Sequence, residues 1–256
     1  MEKVIFIDRD GVINVDLMGY VERPQDFRFE EGAVEALRKL YEAGYKIIVI
    51  SNQAGVGDGV FTSEACWDVH KHMLAELAKE GIDIFSAHYC LHGKTAGCKC
   101  RKPEIGLFKE AEKRVEFDKK KTFFIGDKAT DIEAGKKYGV KTAFVRTGHG
   151  REDEKKLSAE LRPELRGDNL LTAVNLIFDR YHSGPSKRKP RKPKISKAKK
   201  RELGRNLTSP TKDDSAKAAS FRANRPATRR NAPPPREHTP NMSAKNGKTD
   251  PKKRAE

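Results

Sequence analysis

Asp8 and Asp10 stand two positions apart, directly after the apolar run Val4-Ile5-Phe6-Ile7. An aspartate carboxylate can attack phosphorus to form an aspartyl-phosphate, and a neighbouring carboxyl can carry protons to and from the leaving oxygen. Burying two acids together is costly unless a cation or a reaction needs them. An exposed turn with two solvated acids would satisfy the same residues. Ser51-Asn52-Gln53 ends a second apolar run, where its hydroxyl and amides can hydrogen-bond a phosphoryl oxygen or simply cap a turn. Arg101-Lys102 precede Pro103. The lysine can balance phosphate charge and the arginine can fork onto a second phosphate or a hydroxyl. The alternative is two surface cations. Gly126-Asp127-Lys128 ends a further apolar run, with Asp131 beyond it. Asp8 and Asp127 at strand ends on one edge of a sheet offer hard oxygens that suit Mg2+. Taken singly, Asp127 reads as a helix N-cap and Asp131 as a first-turn acid favoured by the helix dipole.

A second constellation is built for a softer metal. Cys90-Leu91-His92 and Cys98-Lys99-Cys100 form C-x-H-x5-C-x-C. Three thiolates and an imidazole complete tetrahedral Zn2+ with no open position, which makes a structural site rather than a catalytic one. A reduced surface cysteine cluster is the alternative. Cys66, beside Trp67, reads as ordinary packing. Gly93-Lys94-Thr95 is not a phosphate-binding loop, because His88 stands where that motif needs glycine. Gly55, Gly57 and Gly59 lack dinucleotide-binding spacing and read as a flexible loop near the site.

These residues need strands and helices to bring them together. Apolar strand-like runs at 4–8, 46–51, 84–90, 122–126 and 141–145 alternate with helical spacing at 31–43, 63–79, 103–115 and 131–138. Thr62 or Ser63 caps the second helix, Gly44, Gly81 and Gly139 stop helices, and Pro103 opens one. Lys102 is thereby expected beside a helix N-terminus, a natural anion position. Residues 153–161 and 169–181 also read as helical. The alternation predicts a parallel sheet with helices on both faces, and ligands bind at the carboxyl ends of such strands. The stretch between Gly11 and Phe29 is expected as a loop or hairpin over the site.

The net charge of +16 is unevenly placed. Residues 183–256 hold 23 Lys and Arg against 6 Asp and Glu, ten of the thirteen prolines and one aromatic, Phe221. Residues 1–182 hold 30 basic and 31 acidic residues. The first part is therefore expected to be a near-neutral globular domain, and the second a disordered basic tail that cannot bury enough apolar surface to order itself. Two readings of the tail stay open: a solvated extension with no partner, or a weak binder of RNA, DNA or another polyanion, which with almost no aromatics would be indifferent to sequence and strongly salt-sensitive. No apolar run is long enough to span a bilayer. Met1-Glu2-Lys3 lacks a signal-peptide pattern, so a cytoplasmic location is expected, and separately a monomer is the default expectation.

A strand ending in Asp-x-Asp-Gly, a strand ending in Ser, a Lys, and a strand ending in Gly-Asp-x-x-x-Asp occur here in order. Over residues 3–150 the chain thereby resembles the haloacid dehalogenase-type phosphatases. The zinc loop that runs directly into Arg101-Lys102-Pro103 is similar to the histidinol-phosphatase and heptose-bisphosphatase branch. The segments 8–16, 19–21, 126–128 and 145–148 favour the heptose side, and the five-residue spacer in the zinc motif favours the histidinol side. The resemblance implies a Rossmann-like three-layer α/β/α fold with a central parallel sheet, nearly capless, with the zinc loop helping to enclose a small sugar or polyol phosphate. It further implies removal of the 7-phosphate of heptose 1,7-bisphosphate, a lipopolysaccharide precursor, or dephosphorylation of histidinol phosphate or another small sugar phosphate.

By position, Asp8 resembles the nucleophile and a Mg2+ ligand, Asp10 the general acid/base that also contacts Mg2+, and Asp127 the remaining Mg2+ ligand. Ser51 and Lys102 resemble the phosphoryl-stabilising pair, Arg101 the substrate-recognising residue and Lys128 a substrate contact. Asp16, Gly19, Tyr20, Asn52, Gln53 and Ala54 fall where substrate contacts are expected. The chain departs from the pattern at Val12, where Thr is commoner, at an extra residue around Leu17-Met18, and in its basic tail. Two rivals stand beside this reading: a nucleic-acid-binding protein on an inactive phosphatase core, and a polynucleotide 3′-phosphatase.

Overall fold

Each strand residue of β1 (Val4–Ile7) is buried, and successive side chains enter two different cores. Ile5 and Ile7 join the core of one face, while Val4 and Phe6 join the other. The computed structural model describes residues 1–17 and 19–181. Within them, β1 is the centre of a six-stranded sheet with β2 (Lys46–Asn52), β3 (Ser86–Cys90), β4 (Phe123–Gly126), β5 (Lys141–Val145) and β6 (Leu165–Gly167). The order is β3-β2-β1-β4-β5-β6, and every pairing is parallel. One face is covered by α1 (Ala33–Glu42), α3 (Ser63–Lys79) and α7 (Leu170–Tyr181). The other is covered by α4 (Gly106–Glu112) and α5 (Ala129–Tyr138). Two short helices, α2 (Ala54–Gly57) and α6 (Gly150–Asp153), lie in connections. This is the three-layer parallel architecture that the alternating pattern predicts.

The chain leaves β1 toward β2 on one side and reaches β4 on the other. The strand order therefore reverses between β1 and β4, where diverging connections open a crevice at the carboxyl ends. Asp8 follows β1 and Asp127 follows β4, in adjacent strands with Ile7 paired to Ile125. Sheet register alone puts these two acids side by side.

Several expectations change. The helix expected over 103–115 begins at Gly106 and ends at Glu112. A turn precedes it, closed by Glu104 N–H donating to Arg101 O at 2.7 Å and Gly106 N–H donating to Lys99 O at 3.0 Å. Lys102 is therefore not at a helix N-terminus. The helix expected over 153–161 is only α6 plus a 3-10 turn at Glu154–Lys156. Glu154 there is drawn to Arg146 and Arg166. The edge strand β6 has no apolar run to announce it, since its middle residue is the exposed Arg166. The glycine-rich segment expected as a flexible loop contains α2, and a Cβ on Gly57 would overlap the backbone nitrogen of Gly93. The segment after Gly11 is hairpin-like, with isolated bridges joining Asn14 to Asp10 and to Phe29. Met18 and the basic tail from residue 182 onward lie outside the described residues.

Candidate active site

The carboxyl ends of β1, β2 and β4 and the turn before α4 converge on one buried cation. Lys102 Nζ sits 2.9 Å from Asp8 Oδ2 and 2.7 Å from Asp131 Oδ1, and donates to Ile50 O at 2.9 Å. Its backbone is clamped by Asn52, whose Nδ2 donates to Lys102 O at 3.1 Å while Lys102 N–H donates to Asn52 Oδ1 at 3.0 Å. Asn52, expected as a substrate contact, thereby also braces the lysine. Burial alone would lower the Lys102 pKa, but Asp131 and Asp8 outweigh it and hold it above its ordinary value.

Asp8, Asp127 and Asp131 each offer a carboxylate oxygen, and these lie within 4.8 Å of one another. Asp131 hydrogen-bonds the Lys128 backbone N–H at 3.0 Å, so it is a first-turn acid as well as a member of this cluster. Asp127 Oδ2 accepts from His149 N–H at 2.8 Å, while its Oδ1 is buried with no hydrogen-bond partner. Burial pushes the Asp127 carboxyl well up, Lys128 opposes, and Asp131 and Asp8 add to the rise. Burial likewise raises Asp131, against the pull of Lys102. Three buried carboxylates, one with an orphaned oxygen, fit a hard divalent cation such as Mg2+. The backbone must come very close here. Gly11 adopts φ +80°, and a Cβ on it would press into the Asp127 carboxylate.

The carboxylate of Asp10, a residue expected to contact Mg2+ beside Asp8 and Asp127, lies outside this group of three oxygens. It turns to Arg9, Asn14 and Gln53 instead, and Asp131 takes the third place. Burial would raise its pKa, but the Arg9 charge and the Asn14 and Gln53 hydrogen bonds hold it below the usual carboxylate value. Gln53 Nε2 also reaches Ser51 Oγ at 3.1 Å, linking the serine to Asp10.

Asp16 accepts Lys128 Nζ at 3.3 Å, and His149 Nε2 lies 3.2 Å away. Tyr20 packs on Phe61 with centroids 5.3 Å apart, Ala54 is buried, and nothing crowds Gly19. Arg101 is half-buried, with a buried Nη1 that no group pairs. Arg9 and His149 were missed. A basic residue between two acids reads as solvated, and His149 sits in a Gly-His-Gly turn without periodicity.

Cys90, His92, Cys98 and Cys100 meet on the neighbouring loop. Their sulfur and Nδ1 atoms are separated by 3.2 to 3.7 Å in five pairs. Zn–S bonds of about 2.3 Å give a tetrahedron with edges of roughly 3.7 Å, so the four ligands fit zinc. Asp58 ties this loop to α2 by accepting Lys94 N–H at 3.1 Å.

Comparison with known proteins agrees with this geometry. The HAD-hydrolase-like family model matches residues 99–173. A D-glycero-beta-D-manno-heptose-1,7-bisphosphate 7-phosphatase of Pasteurella multocida (strain Pm70) is 38% identical over 164 residues, 61% of this chain and 89% of that protein. A D-glycero-alpha-D-manno-heptose-1,7-bisphosphate 7-phosphatase of Photorhabdus laumondii is 35% identical over 183 residues, 68% of this chain and 96% of that protein. The crystal structure of D,D-heptose 1,7-bisphosphate phosphatase from B. bronchiseptica, complexed with magnesium and phosphate, superposes with a TM-score of 0.65 at 28% identity, covering 69% of this chain and 98% of that one. The chain belongs to the haloacid dehalogenase-like hydrolases and is a phosphatase. Within that family it is similar to the heptose-1,7-bisphosphate 7-phosphatases, of both anomeric kinds.

Proposed function

We propose that the chain removes the 7-phosphate of D-glycero-D-manno-heptose 1,7-bisphosphate through a phosphoryl-Asp8 intermediate. The observation that carries the chemistry is Lys102, which bridges Asp8 and Asp131 beside the unpaired Asp127 Oδ1. The substrate reading rests on the relatives, which match over most of their length. When bound by Asp8, Asp127 and Asp131, Mg2+ supplies positive charge that stabilises the phosphoryl oxygens. Lys102 and the Ser51 hydroxyl hold the phosphoryl group. An Asp8 carboxylate oxygen attacks phosphorus, the bond to the sugar oxygen breaks, and Asp10, which has to take up a proton in the substrate complex against the pull of Arg9, gives that proton to the sugar oxygen. Asp10 then takes a proton from water as the water oxygen attacks phosphorus. This frees inorganic phosphate and restores the Asp8 carboxylate. In this reading Arg101 and Lys128 meet the rest of an anionic sugar, and Asp16, Gly19, Tyr20, Asn52, Gln53 and Ala54 serve as further substrate contacts.

Zn2+ on Cys90, His92, Cys98 and Cys100 is a structural ion in this reading, locking the loop that leads into Arg101 and Lys102. The catalytic domain covers residues 1–182, and the tail over 183–256 acts as a salt-sensitive polyanion-binding extension. Among the described residues no helix is long and apolar enough to cross a membrane. A panel of heptose 1,7-bisphosphate, histidinol phosphate, fructose 1,6-bisphosphate and a 3′-phosphorylated oligonucleotide tests the reading. The heptose compound is expected to give the highest kcat/KM, and preference for any other member would overturn the substrate assignment.

A further inference from the structure

Arg9 is the largest fully buried side chain among the described residues, yet it lies between the two acids of the active site. Its guanidinium sits 5.5 Å from the ring centre of Tyr89, whose hydroxyl is in turn 2.9 Å from His70 Nδ1. Asp10 is the carboxylate it pairs with among the described residues. Sinking a guanidinium here costs free energy that an apolar side chain would avoid, so the site must gain something from it.

The pattern of donors shows what. An arginine usually forks onto both oxygens of a carboxylate. Arg9 instead donates from Nε at 3.2 Å and from Nη2 at 3.0 Å to Oδ1 alone. Asn14 Nδ2 donates to the same oxygen at 3.0 Å. Three donors exhaust what one carboxylate oxygen can accept. Oδ2 receives one donor, Gln53 Nε2 at 2.6 Å. That amide also touches Ser51 Oγ at 3.1 Å, so Oδ2 is the oxygen linked to the hydroxyl proposed to hold the phosphoryl group. The two oxygens of Asp10 are therefore made unequal.

We propose that Arg9 is a positioning residue for Asp10: it blocks Oδ1, fixes the carboxyl plane, and leaves Oδ2 as the oxygen that exchanges protons with the leaving group and with water. This rests on the proposed role of Asp10 as general acid/base. Without Arg9 the carboxyl group keeps its two amide donors but can rotate, and the transferring oxygen is no longer defined.

The test separates positioning from general damage by leaving group. A sugar alkoxide needs a proton to leave, whereas p-nitrophenolate does not. Arg9→Met removes the donors at similar volume. It is expected to lower kcat/KM on the sugar phosphate by about a hundredfold or more relative to the loss on p-nitrophenyl phosphate, in line with the usual worth of general acid catalysis. Asp10→Asn is expected to show the same split. The parameter kcat/KM reports only through departure of the leaving group, so later hydrolysis of the intermediate does not blur it. A parallel loss on both substrates, or no loss, would overturn the proposal. If Arg9→Met does not fold, as judged by thermal unfolding, Arg9→Lys is read in its place. It keeps the charge with a single point donor and is expected to show a smaller split of the same sign, and equal losses overturn the proposal. Failure of the phosphatase reading itself would look different, because the wild-type protein would then hydrolyse neither substrate.

Discussion

Lys102→Met is the most informative single perturbation of the charged cluster. The lysine side chain is 2% exposed and its two partners, Asp8 and Asp131, are 5% and 0% exposed. Removing one partner of a buried pair leaves an uncompensated charge, which costs about 3–5 kcal/mol. Here two carboxylates lose their partner at once, with Asp127 alongside. Urea unfolding at neutral pH in a chelator is expected to show a loss at the upper end of that range, about 5 kcal/mol. Asp131→Asn removes one of the stranded charges, so the double variant is expected to recover about 1–3 kcal/mol relative to additivity, the coupling usual for groups in contact. Adding Mg2+ restores positive charge by mass action and should shrink the Lys102→Met penalty more than it changes the wild type. Activity should fall at least about a hundredfold, the loss typical for one charge-stabilising group at a reacting centre. A penalty below about 1 kcal/mol, or strict additivity with Asp131→Asn, would refute the view that the lysine holds this cluster together.

Metal analysis of purified protein should find one zinc per chain, and stripping it with a chelator should lower both the melting temperature and kcat, because Cys100 is two residues from Lys102. Protein free of zinc that keeps full stability and activity would contradict a structural ion. His70 gives a pH dependence. Burial, with help from Arg9 and Lys71, lowers its pKa from 6.5 to about 4. The unfolded chain thus binds more protons in that window, so the His70 contribution is whole above the unfolded value and is lost as pH falls toward 4. The loss at pH 5 is about 2 kcal/mol. His70→Asn should flatten that part of the urea-derived stability profile, and an unchanged slope would count against a neutral buried imidazole.

Much of the fold was legible because parallel strands buried on both faces leave unbroken apolar runs, as at Val4–Ile7 and Phe123–Gly126. The acids that end those runs were legible for the same reason. β6 was not, since a three-residue edge strand with an exposed arginine leaves no such run. The shortened α4 was not, because the turn at 101–104 is held by Asn52 at the end of β2, a contact 50 residues away in sequence that leaves no local signal. Types and order of site residues could be read, but orientation could not. Asp10 and Asp131 are both acids near strand ends, and only the packed neighbours decide which joins Asp8 and Asp127. Arg9 shows the limit most clearly, since side chains around Tyr89 turn a residue that looks solvated into a buried clamp.

The most direct measurement is mass spectrometry of the protein quenched in acid during turnover of heptose 1,7-bisphosphate. The peptide carrying Asp8 is expected to gain one phosphoryl group, absent in Asp8→Asn, while the released sugar keeps its 1-phosphate. Steady turnover with no phosphoryl group on that peptide, or retained activity in Asp8→Asn, would contradict a phosphoryl-Asp8 intermediate.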